Sequence, residues 1–74
     1  MTIDSFKEIM AARPWHPVEI LLNGGETVTV VHEESIWIGK YSCVVVEHPD
    51  GKHDFFDVSD VSKVRRIVRR KKAA

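Results

Sequence analysis

The sequence predicts a small, mainly β domain of the α+β class, in which one short N-terminal helix is followed by a strongly bent five-stranded antiparallel sheet. Three observations carry this. Residues 18–31 read V-E-I-L-L-N-G-G-E-T-V-T-V-V, two apolar-alternating runs around Asn23-Gly24-Gly25. A second pair of runs, residues 42–48 and 52–58, flanks the turn Pro49-Asp50-Gly51. A helical period occurs at the N-terminus, where Ile3, Phe6, Ile9 and Met10 form one apolar stripe.

The helix comes first in the chain. Thr2 is a plausible N-cap, Ser5 to Glu8 offers a second capping-box start, and Asp4 and Glu8 suit the positive end of the helix. Arg13 precedes Pro14 and is pushed toward extended backbone, so the helix should stop by about Ala12. A helix this short is unstable alone and must dock its stripe on the sheet. Arg13-Pro14-Trp15-His16-Pro17 then forms a stiff connector that delivers Trp15 to a fixed place, either closing one end of the core or offering a stacking ring.

The register of the first hairpin follows from face parity. Val18, Ile20 and Leu22 share a face with Val28 and Val30 only if Leu22 pairs with Glu26, which leaves a three-residue loop ending in a left-handed Gly25. His32-Glu33-Glu34 is a polar break. Residues 35–39 fit either a strand continuation or one helical turn. Residues 42–48 and 52–58 are the third and fourth strands, Ser59 to Ser62 suggests one tight turn, and residues 63–68 form the fifth strand. The domain is thus residues 1–68, with residues 69–74 a basic tail without fixed structure.

Length and composition narrow the function classes. A chain of 74 residues buries only about 60–65% of its unfolded surface, so self-association would help to stabilise it. Cys43 is the one cysteine, excludes an internal disulfide, and beside three valines reads as a buried small hydrophobe in a reducing compartment. No apolar run approaches a membrane span and no signal peptide is evident, which points to a cytoplasmic protein without membrane contact. The terminal Lys71-Lys72-Ala73-Ala74 has the form of a dilysine retrieval signal, which is discounted without a membrane span.

The zero net charge conceals an asymmetry. Residues 1–60 hold eleven acidic and four basic side chains, whereas residues 61–74 hold seven basic ones and no acid. Lys63, Arg65, Arg66, Arg69, Arg70, Lys71 and Lys72 are therefore the candidate nucleic-acid-binding residues, with Trp15, or else Trp37, stacking on a base.

His48, Asp50, His53, Asp54 and Asp57 cluster around one turn but match no zinc or calcium spacing, so neither a metal nor a cofactor is expected. No phosphate-binding loop, paired-cysteine motif or nucleophile elbow is present, so neither an enzyme nor a small-molecule substrate is expected.

With a helix, a strand ending in Leu21-Leu22-Asn23-Gly24 and a short last strand at Val64-Arg65-Arg66-Ile67-Val68, the chain resembles the SH3-like or Sm-like small barrel, particularly its bacterial Hfq branch. It also looks like a group of small uncharacterised bacterial proteins with an R-P-aromatic-x-P connector, a glycine turn and V-x-H-x-E, here Val30 to Glu34. The first resemblance implies RNA binding, and exposed edge strands lead us to expect a homo-oligomer. The Tyr-Lys-His run that would hold uridine-rich RNA is replaced by residues 55–60, F-F-D-V-S-D, where only Phe55 or Phe56 could supply the aromatic part and Asp57 and Asp60 would repel phosphate. The expected function is a non-catalytic module binding RNA or other nucleic acid through the basic end. The alternative is a protein-interaction or self-assembly module, with the basic end of one copy on the acidic body of the next.

Overall fold

The structure is a computed structural model and describes residues 1–67. Helix α1 spans Ile3–Ala11, and Thr2 caps it by accepting a hydrogen bond from the Ser5 amide at 3.2 Å. Ala12 is already extended at the helix C-cap, just ahead of Arg13 and Pro14. The Arg13–Pro14 peptide is cis.

Strands β1 (Val18–Leu22) and β2 (Thr27–Val30) form the first hairpin with the register that face parity demands. Val18 pairs with Val30 and Ile20 with Val28, and the Leu22 amide donates to the Glu26 carbonyl at 2.8 Å. Gly25 has a φ of +95°, a conformation that costs a side-chain-bearing residue about 1–2 kcal/mol.

Beyond β2 the expectation of a single bent five-stranded sheet fails. Among the described residues six strands divide into two separate three-stranded antiparallel sheets, neither of them closed. The break falls at the polar segment after β2. Glu33–Ser35 forms a 3₁₀ turn, with the Ser35 amide bonded to the His32 carbonyl at 3.0 Å, so the chain leaves the first sheet before β3 (Ile36–Ile38) starts the second. Two adjacent glutamates cannot both join a buried face, and a turn keeps both in water.

The second sheet continues with β4 (Cys43–Glu47) and β5 (His53–Asp57), in the order β3-β4-β5. A second 3₁₀ turn, Val58–Asp60, carries the chain back, and β6 (Val61–Arg66) adds to the first sheet in the order β2-β1-β6. A register shift between Leu21 and Leu22 lets Val61 pair with Leu22 while Lys63 pairs with Leu21. The last strand therefore starts earlier than the sequence suggests.

Both sheets and the helix share one core. Phe6 and Met10 of α1, Val18, Ile20, Val28 and Val30 of the first sheet, and Val44, Val46 and Phe56 of the second are buried with Val58 and Val61. Each such side chain contributes about 1.5–3 kcal/mol by leaving water. No buried side-chain polar atom is left unpaired among the described residues. Cys43, expected to be buried, is exposed. Strand parity explains this, because Val44 and Val46 take the inner face and Cys43 must point outward. Among the described residues no helix is long and apolar enough to cross a membrane.

Candidate functional site

The described part of the basic end is β6, which forms one edge of the first sheet. Lys63 is opposite Leu21 and Arg65 opposite Glu19, so both cations share the sheet's outer face, while Val61 and Val64 turn inward. Arg66 has inward parity but lies at the strand end and is exposed. Arg65 lies 3.5 Å from Glu19, an exposed pair that contributes about 0–1 kcal/mol and leaves the guanidinium open to competition. Lys63 and Arg66 have no ion-pair partner among the described residues. Arg69, Arg70, Lys71 and Lys72, with the rest of the expected 69–74 tail, lie outside the described residues.

Trp15 is placed elsewhere. It is half-buried against the core and walls a groove of about 300 Å³ between α1 and β3, together with Met10, Ile36 and Ile38. Lys7 and an exposed Arg13–Glu33 ion pair of 2.6 Å form the rim. The two prolines thus fix Trp15 where its rings cover apolar surface.

Tyr41, 77% exposed, lies in the β3–β4 turn, and the exposed rings carried on strands belong to the second sheet. Trp37 on β3 pairs with Val45 on β4, which pairs with Phe55 on β5, so the three form one row across the outer face. Trp37 is 59% and Phe55 67% exposed. The His53 and Phe55 rings meet in a T-shaped contact at a centroid distance of 5.1 Å. On one side of the row stand Glu47 and His53, on the other Cys43 and Asp57. Phe56, the other half of the expected aromatic pair, is in the core. Sequence reasoning named these rings singly and missed the row, whose signal is the shared parity of positions 37, 45 and 55 in the register of three strands.

The polar residues of the second hairpin are used locally. His48 Nε2 lies 2.6 Å from an Asp54 carboxylate oxygen, and Asp50 accepts from the Lys52 amide. No group of three His, Cys, Asp or Glu side chains suited to a metal ion converges among the described residues. Asp57 accepts from the Ser59 amide at 2.9 Å and from the Ser42 hydroxyl at 2.8 Å. The hydrogen bonds from Ser59, then that from Ser42, hold its carboxyl below the ordinary value.

Compared with family models, curated proteins and solved structures, the chain matches none.

Proposed function

We propose that the protein is a non-catalytic, cytoplasmic binding module that holds nucleic acid, RNA being the expected class, along β6 and the basic residues that follow it. The observation that supports this is the outward placement of Lys63 and Arg65 on an edge strand that leads in sequence to Arg69, Arg70, Lys71 and Lys72. Cations spaced along a strand suit a phosphate backbone, and contacts of this kind carry little base information and weaken steeply with salt.

Fluorescence anisotropy of labelled poly-U, poly-A and random RNA at two salt concentrations tests this. Removing residues 69–74 should abolish most binding, and Lys63→Ala should lower the slope of log affinity against log salt by about one. Equal affinity for full-length and shortened protein would remove the basic end from the account.

The second reading is a protein-interaction module without nucleic acid. The Trp37–Val45–Phe55 row favours it, because exposed aromatic rows on a small domain mark contact surfaces. Absence of RNA binding at low salt would leave this reading standing.

A further inference from the structure

We infer that the outer face of the second sheet is the contact between two copies of this chain, related by a twofold axis running along the Trp37–Val45–Phe55 row. The inference is independent of nucleic-acid binding, which would use the other sheet.

The occupant follows from charge. On their outer face strands β3 to β5 carry Glu47 and Asp57 and no lysine or arginine, so a phosphate backbone would be repelled from the rings that could stack its bases. A second copy, in contrast, offers an equally apolar centre and a complementary rim. Two sheets packed face to face about a twofold axis have two simple arrangements. An axis parallel to the strands sets Glu47 against Glu47, a like-charge contact.

An axis along the row instead exchanges the two ends of the face. His53 of one copy then meets Asp57 of the other, and Glu47 approaches the β3–β4 turn that carries Lys40. Each of these contacts occurs twice by symmetry, as a closed pair requires. Lys40 and Asp57 share one end of the face because Gly39 bonds to Cys43 and Cys43 pairs with Asp57.

The size of the face sets the strength. Aromatic side chains bury about 150–250 Å² each when fully covered. The two rings, more than half exposed, therefore withdraw roughly 200–300 Å² per copy, well short of the ~800 Å² per partner typical of a stable complex. The pair is accordingly concentration-dependent rather than obligate.

Sedimentation equilibrium of the full chain over a wide concentration range tests the contact. A monomer–dimer equilibrium is expected. Phe55→Ser and Trp37→Ser should each raise the dissociation constant about tenfold or more, as for a central aromatic contact, while circular dichroism stays unchanged because both rings lie outside the core. A monomer at every concentration, or a dimer indifferent to both variants, would overturn the proposal.

The axis has its own test. Lys40→Glu should weaken the dimer and Glu47→Lys, added to it, should restore it. Failure of that rescue, or rapid disulfide formation between two copies through Cys43, would overturn the row axis, which holds the two Cys43 thiols at opposite ends.

Discussion

At the centre of the first sheet's outer face stands Glu19, flanked by Thr29 and Arg65, and at the centre of the second sheet's stands Val45, flanked by Trp37 and Phe55. Inward, the two sheets are chemically alike, with Ile20 beside Val28 and Val44 beside Phe56. A shared core constrains only one parity of each strand. The other parity is free to record what the domain meets, charged on one side and aromatic on the other.

The contrast between parities is tested most severely at Phe55 and Phe56, neighbours in sequence with opposite exposure. Phe56→Ala should cost about 3–5 kcal/mol in urea denaturation, and Phe55→Ala within about 0.5 kcal/mol. Similar costs for the two would break the account of the second sheet.

A smaller effect sharpens the comparison of the two hairpins. Gly25 and Gly51 both have positive φ, at +95° and +89°, whereas Gly24 does not. Alanine at either of the first two should cost about 1–2 kcal/mol, and at Gly24 almost nothing, since a Cβ there meets no atom within 4 Å. Denaturation midpoints of the three variants decide it.

The smallest effect concerns Asp57, at the end of the second sheet. Its carboxyl is held below the ordinary value by the hydrogen bonds from Ser59 and Ser42. The folded chain thus binds that proton more weakly than the unfolded chain, whose aspartates titrate near about 3.9. The resulting stabilisation is present above that pH and is lost as pH falls through the lowered folded value. Asp57→Asn should flatten this part of the acid limb of a stability–pH curve. An unchanged limb would mean that the Ser59 and Ser42 contacts do not persist in solution.

The first hairpin was legible because its turn admits one register that places Val18, Ile20, Val28 and Val30 on a single face, and those residues are buried. The helix was legible from Thr2, the apolar stripe and Pro14. The division into two sheets was not. His32-Glu33-Glu34 marked a break, but whether a ladder resumes across such a break depends on pairing between segments far apart in sequence. Three consecutive valines in β4 hid its parity, so Cys43 was placed inside and the partnership of Val45 with Trp37 and Phe55 went unseen. The basic residues of β6 were legible as a run, but their pairing with Leu21 and Glu19 depends on a partner strand some forty residues earlier in the chain, which nothing local to β6 specifies.

The turn of the first hairpin is tied to the 3₁₀ turn that joins the two sheets. The Asn23 amide donates to the Asp60 carbonyl at 2.7 Å, and the Asn23 side-chain amide donates to the Ser59 carbonyl at 3.3 Å. In the language of hydrogen exchange, this makes the Asn23 amide a reporter of separation between the sheets. Its proton is not released by fraying of one hairpin alone, so its exchange should follow the opening of the joint with Val58–Asp60 and measure how cooperatively the two halves of the domain unfold.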